Sequence, residues 1–208
     1  MLKLVLPSGK SLEEQTLKLF EEADFPVHRN PRQQKVTIGD PFIPEVLIAQ
    51  PWDIPGLVEK GFYDVGICGL DCVREAGVHI EVVAELPYSR TTSGSVKVVL
   101  FCSADNPIQE AADIEPESEI LSEYPNCTRK YFEELGIPVK VRKSRGTTEA
   151  QIPEVYPYGV CVSETGTSLA VNGQKVIGVL FESSTILIAN PEAMADPDKG
   201  EAIHMLGL

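Results

Sequence analysis

Short apolar runs alternate along this chain with segments of helical period, and Gly, Pro or small polar clusters separate them. Few folds accept that order, because each apolar strand followed by an amphipathic helix points to an α/β architecture. Leu2–Leu6 is the first run, and Pro7-Ser8-Gly9-Lys10 breaks it. Ser11-Leu12-Glu13-Glu14 then has the form of a capping box, and Leu12, Thr16, Leu19, Phe20 and Ala23 follow the helical period. Val46–Ala49 reads as a strand, and Asp53 as the cap of a short helix with Pro55 in its first turn and Gly61 as its stop. Asp64–Cys68 is a further strand, and Gly69-Leu70-Asp71 leads into a helix ending near Gly77.

Ile80–Ala84 and Val96–Cys102 continue the pattern, the second as a nearly unbroken apolar run suited to a sheet interior. Ser103–Ser118 is acidic, holds two prolines and reads as an exposed excursion. Glu119–Leu121 is a strand, followed by a helix capped by Asn126 or Thr128 and stopped at Gly136. Pro138–Val141 reads as a strand, Thr147-Thr148-Glu149 as a helix start, and Gly159–Val162 as a strand. Glu164-Thr165-Gly166-Thr167-Ser168 opens a helix that Asn172-Gly173 ends, and Lys175–Phe181 and Thr185–Ala189 are the last strands. Asn190 then caps a terminal helix with Pro191 at its first position.

The expected fold is α/β with mostly parallel sheets. The Ser/Thr/Gly-rich stretch Tyr88–Ser95 reads as a crossover into a second lobe, with a return near Ser183–Ser184. Two lobes follow, residues 1–94 plus 184–208 and residues 95–183, with a cleft between them.

Charge narrows the function classes. Among 208 residues, 31 acidic against 18 basic side chains give a net charge of -13. Neither a nucleic-acid backbone nor an anionic membrane suits such a chain. Phosphorylated small molecules remain open, because backbone amides and a metal ion can hold them. No stretch approaches the ~20 apolar residues of a membrane span, and MLKLVLPSGK lacks the form of a secretory leader. Cys68, Cys72, Cys102, Cys127 and Cys161 are odd in number and without zinc spacing, so reduced thiols in a cytoplasmic protein are expected.

Val160–Leu169, VCVSETGTSL, is the most informative segment. A strand running through Glu164-Thr165-Gly166-Thr167-Ser168 into a helix gathers backbone N–H groups and hydroxyls where an anion is favoured. The same residues also suit an ordinary capped helix start, and spacing alone leaves both open. Pro7-Ser8-Gly9-Lys10-Ser11 contains G-K-S without the upstream glycine of a Walker A loop. Cys68-Gly69-Leu70-Asp71 also follows a strand. Three such loops on one sheet edge would make a ligand site. His28, His79 and His204 show no ligand spacing; Trp52, Tyr124, Tyr131 and Phe132 read as packing residues, and Glu110–Glu119 as a solvated face.

Taken together, LPSGKS, QPWDIPGLVEKGFYDVGICGLDC, SEYPNCTRKYF, GTTEA, ETGTSLAVNG and ILIANPEA resemble the catalytic subunit of the ATP phosphoribosyltransferase family. The resemblance implies a fold like that of type II periplasmic binding proteins. It also implies a reaction joining N1 of the ATP adenine to C1 of phosphoribosyl pyrophosphate with Mg²⁺, the first step of histidine biosynthesis. Carried over, Glu164, Thr165, Gly166, Thr167 and Ser168 would cradle the ribose 5-phosphate, and Ser8, Gly9, Lys10, Gly69 and Asp71 match first-lobe loops facing the cleft. Longer members carry a C-terminal regulatory domain, so a chain of this length is expected to be the short form. Such subunits pair with a regulatory protein similar to histidyl-tRNA synthetase, giving a homo- or hetero-oligomer.

This chain departs from the family pattern at three positions. Gln50 stands where Arg is usual, and Pro157 and Cys161 stand where carboxylates are usual. A non-catalytic binding protein for a phosphorylated metabolite, with the same fold, is the alternative these departures raise.

Overall fold

The structure, a computed structural model, describes residues 1–25, 27–30, 35–88 and 95–206, and Lys10 without its side chain. It divides into two units, Met1–Gly94 with Ser184–Leu208 and Ser95–Ser183. Residues 89–94 of the expected crossover lie outside the described residues.

Among the described residues the first unit is built on seven strands: β1 (Lys3–Pro7), β2 (Val27–Arg29), β3 (Lys35–Ile38), β4 (Glu45–Ala49), β5 (Val65–Gly69), β6 (Glu81–Glu85) and β12 (Thr185–Ala189). Their order is β2-β3-β4-β1-β5-β12-β6. β4, β1 and β5 run parallel, β2 and β3 add as a hairpin on β4, and β12 enters antiparallel between β5 and β6. Alternation along β1 separates two cores. Leu4 and Leu6 pack on one side with Phe20 of α1 (Lys10–Glu22) and Ile203 of α7 (Pro197–Leu206). Val5 packs on the other with Ile54 and Val58 of α2 (Ile54–Glu59) and Cys72 of α3 (Leu70–Ala76). Asp64 ties the layers: one carboxylate oxygen takes the Lys3 N–H at 2.8 Å and the other meets Lys199 Nζ at 2.7 Å.

The second unit holds β7 (Val96–Ser103), β8 (Glu119–Ser122), β9 (Lys140–Lys143), β10 (Tyr158–Ser163) and β11 (Gln174–Ser183) in the order β11-β7-β10-β8-β9. β10, β8 and β9 are parallel, and β7 is antiparallel to both its neighbours. Val98 and Leu100 of β7 face a core with Tyr124 and with Phe132 of α4 (Pro125–Leu135). Val99 and Phe101 face another with Cys161 and with Leu169 of α5 (Thr167–Val171). Both sheets are therefore mixed. The expectation of mostly parallel sheets fails because β2–β3, β12, β6, β7 and β11 add antiparallel strands around a parallel centre.

Several boundaries also differ from the sequence reading. Gly9, not Ser11, is the N-cap of α1, and it makes no side-chain cap bond. Ser11 lies inside the helix, where its hydroxyl accepts from Gln15 Nε2 at 3.1 Å. Tyr124 caps α4, so Asn126 and Thr128 are helical. Thr128 is fully buried and returns its hydroxyl to the Tyr124 carbonyl at 2.7 Å. β9 begins at Lys140 rather than Pro138, and Thr148–Gln151 forms one 3-10 turn rather than an α-helix. Within the acidic excursion, Ala111 and Ile114 are buried. The terminal helix is two helices, α6 (Pro191–Ala195) and α7, separated at Asp196-Pro197 where proline has no N–H to continue the ladder.

Candidate functional site

In the first unit, three parallel strands end side by side, and the loops after them carry five of the expected residues. Ser8 leaves β1 with its N–H donating to Ala49 O of β4 at 2.7 Å. Gly9 follows at φ 109°, ψ 127°, a backbone state that a side chain rarely adopts, and its carbonyl accepts from Glu13 N–H at 2.8 Å to start α1. Lys10 opens the helix. Among the described residues no side chain caps the first turn of α1. Ser8, Gly9, Ser11, Leu12, Gln50, Pro51 and Trp52 line a pocket of about 310 Å³ there. Ser8 Oγ is buried in this wall, and among the described residues it has no hydrogen-bond partner. Trp52, expected as a packing residue, is 38% exposed at the pocket rim.

One strand along, Gly69 caps α3 and Asp71 is 2% exposed in its first turn. A Cβ at position 69 would collide with the Asp71 carboxylate, so glycine here is what lets that carboxylate fold back over the strand end. Burial pushes the Cys68 thiol well above its ordinary range, and Cys72 and Asp71 add to the shift. Cys68 is accordingly a neutral core group.

The second unit has its own set of parallel strand ends. β10 runs into Glu164, Thr165, Gly166, Thr167 and Ser168, all but Gly166 exposed. Gly166 N–H donates to Ser163 Oγ at 3.0 Å, Thr165 Oγ1 and Thr167 Oγ1 share a hydrogen bond of 2.8 Å, and Gly166 sits at φ 75° as the N-cap of α5. α5 has five residues, so the macrodipole invoked for this loop is small. What the loop offers instead is hydroxyls and glycine backbone. The expectation of three loops on one sheet edge is corrected accordingly. Two share the edge of the first sheet, and the third belongs to the second sheet.

Sequence reasoning missed the polar cluster beside β10 in the second unit. Val160 of β10 is in register with Ser122 of β8, and Glu123 N–H donates to the Val160 carbonyl at 3.1 Å. That register sets Glu123 beside Cys161. Thr148 lies within hydrogen-bond distance of Glu123 Oε1 (2.9 Å) and of Ser144 Oγ (2.8 Å). Gln174, 5% exposed, holds the turn bearing Thr148 by donating to the Glu149 and Ile152 carbonyls at 2.7 and 2.8 Å. Burial, then Glu149, then Glu123 push the Cys161 thiol far above its ordinary range, so it is protonated at any working pH. The available signal was the parity of two neighbouring strands, which needs their register.

Each of the two α/β units carries polar, glycine-bearing loops at the ends of its parallel strands, the edge at which open α/β sheets take their ligands. The periplasmic aliphatic sulphonate binding protein SsuA from Escherichia coli has this fold, with a TM-score of 0.59 at 12% identity over 99% of this chain and 65% of that one. The ATP phosphoribosyl transferase (HisG:HisZ) complex from Thermotoga maritima is nearer, with a TM-score of 0.83 at 24% identity over 99% and 95%. A family model described as HisG: ATP phosphoribosyltransferase matches residues 50–206. An ATP phosphoribosyltransferase from Koribacter versatilis (strain Ellin345) is 38% identical over 207 residues, 100% of this chain and 71% of that protein. One from Desulforudis audaxviator (strain MP104C) is 36% identical over 202 residues, 97% and 69%. This chain belongs to the ATP phosphoribosyltransferase family. The relatives matched by sequence carry the name of the enzyme.

Proposed function

We propose that this chain joins N1 of the ATP adenine to C1 of phosphoribosyl pyrophosphate, releasing pyrophosphate, as the first step of histidine biosynthesis. The observation that carries this reading is the match to enzymes of that name at 38% and 36% identity along nearly all of the chain. In the reaction the C1–oxygen bond to pyrophosphate breaks with its electron pair leaving on oxygen, and the adenine N1 lone pair forms the new bond. No covalent enzyme nucleophile is needed. The protein's work is to align the two reactants and to stabilise charge at the sugar and the leaving group.

Glu164, Thr165, Gly166, Thr167 and Ser168 are assigned to the sugar 5-phosphate, where exposed hydroxyls and a glycine backbone allow close approach. Ser8, Gly9, Lys10, Gly69 and Asp71 are assigned to the nucleotide or pyrophosphate side. The unpartnered Ser8 hydroxyl in the pocket wall supports that assignment. Mg²⁺ is assigned to the substrate pyrophosphate, whose charge it neutralises when bound. Among the described residues no three His, Cys, Asp or Glu side chains gather into an ion cage.

A regulatory subunit similar to histidyl-tRNA synthetase is the proposed partner, a reading supported by the Thermotoga maritima neighbour having been solved as a HisG:HisZ complex. A cytoplasmic location accords with five free cysteines. The test is an assay of phosphoribosyl-ATP formation, followed by the absorbance rise beside the adenine band, with Mg²⁺ and with or without that subunit. Product is expected; its absence at high enzyme concentration under both conditions would overturn the reading.

A further inference from the structure

We infer that the first unit carries a second binding site, for an organic cation with an apolar body, at the sheet edge opposite its candidate loops. A pocket of about 550 Å³ lies there. It opens beside Leu2 and Ile43, which precede β1 and β4, whereas Ser8 and Gln50 follow the far ends of the same two strands. Roughly 20 Å of extended chain separates Leu2 from Ser8. The pocket therefore shares nothing with the loops assigned to the substrates.

Its walls are apolar and held in place. Leu2 and Ile43 are buried and Phe25 is half-buried, all three within or against the core that α1 and α7 cover. Phe25 stands edge-on to Phe20 with 5.9 Å between ring centroids. The turn before β4 is fixed twice: Leu2 N–H donates to the Phe42 carbonyl at 2.7 Å, and Phe42 N–H donates to Asp40 Oδ1 at 2.6 Å. The second of these bonds orients the Asp40 carboxylate. On α7, Asp198, Glu201 and Met205 recur at i, i+3 and i+7, the spacing of one helix face, and all three line the pocket. Met205 is 71% exposed at the mouth.

Charge and size define the occupant. Asp40, Asp198 and Glu201 are the charged side chains of the lining, and among the described residues no Lys, Arg or His joins them. Lys199, next to Asp198, is engaged by Asp64 at 2.7 Å. The volume falls within the range of about 300–1,000 Å³ usual for small-molecule pockets, as do aromatic and aliphatic walls with a few placed polar groups. An apolar body leaves water against Phe25, Phe42 and Ile43. An ammonium group gains from three carboxylates, and phenylalanine rings favour a cation further. An anion, or an amino-acid zwitterion, would bring its own carboxylate against that rim. A second copy of this chain, of net charge -13, would meet the same repulsion.

The test uses the full chain with tryptamine as the probe and indole-3-propionate as its anionic counterpart, both followed by calorimetry. Tryptamine is expected to bind roughly tenfold or more tightly, the usual size of hydrogen bonds to a charged group. Asp198→Asn combined with Glu201→Gln should lower that preference to about threefold or less. Met205→Lys, an exposed substitution that sets a cation at the mouth, should weaken tryptamine roughly tenfold. Glu133→Gln, which removes an exposed carboxylate from α4, should leave its affinity unchanged and so separates the pocket from the general field of an acidic chain. No binding of tryptamine, equal affinity for the two probes, or an affinity untouched by Met205→Lys overturns the inference. So does a dimer in sedimentation that Met205→Lys dissociates, because it gives the groove to a second copy. Should the double variant fail to fold, Met205→Lys decides alone.

Discussion

Tyr88 shows how one buried polar group ties stability to solution conditions. Its hydroxyl meets Thr16 Oγ1 at 2.8 Å, both residues are buried, and burial pushes the phenol up to about 12, with Thr16 offsetting part of the shift. A raised phenol favours the neutral form in the folded chain. Its contribution is therefore complete below the ordinary value near pH 10 and is lost as pH rises toward 12. Urea midpoints measured from pH 9 to 12 should fall, and Tyr88→Phe should fall less steeply, the difference reaching roughly 2 kcal/mol. Equal slopes in the two proteins would show that Tyr88 is not the group responsible. The same chemistry makes Cys68 and Cys161 neutral core thiols, so their place beside candidate loops reflects packing rather than reactivity.

At the scale of elements, Asn190 joins two helices. Its Oδ1 accepts from Glu192 and Ala193 N–H at 2.9 and 3.2 Å to cap α6, and its Nδ2 donates to the Val58 and Glu59 carbonyls at 2.9 and 3.1 Å to close α2. Asn190→Ala removes a cap and leaves two helix-end carbonyls without this donor. A loss of about 2–3 kcal/mol is expected in denaturant melts; Asn190→Asp should recover the α6 half alone. This cap was legible in the sequence, as were β1, β5, β7 and β12, because an apolar run followed by Asn-Pro or by a glycine leaves little choice of local structure. β2 and β3 were not legible, since VHR and KVTI are short and half-polar and owe their strand form to β4. Ser11 misled for a related reason: a capping-box pattern does not compete with a glycine whose positive φ already turns the chain into the helix. At the candidate site, the loop residues could be read one by one, whereas the Glu123–Thr148 contact could not. It depends on the pairing of β8 with β10 and on a 3-10 turn formed 25 residues later.

For the whole molecule, net charge has a kinetic consequence. Both proposed substrates are anions, and a chain of net charge -13 repels them at long range. Added monovalent salt screens that repulsion, so kcat/KM at fixed free Mg²⁺ should rise about twofold or more between low and near-physiological ionic strength. A fall would mean that local basic groups at the loops outweigh the global field. The sheet order carries a further consequence, for synthesis. Among the described residues β6 ends the first sheet with β12 as its neighbour, yet the whole of Ser95–Ser183 is translated between the two. While the ribosome makes that stretch, at about 5–20 residues per second, β6 and the outer edge of β5 wait for several seconds with their backbone groups open. The nascent chain thus completes its second unit before its first, and in that interval a chaperone would find its binding site on the unfinished sheet.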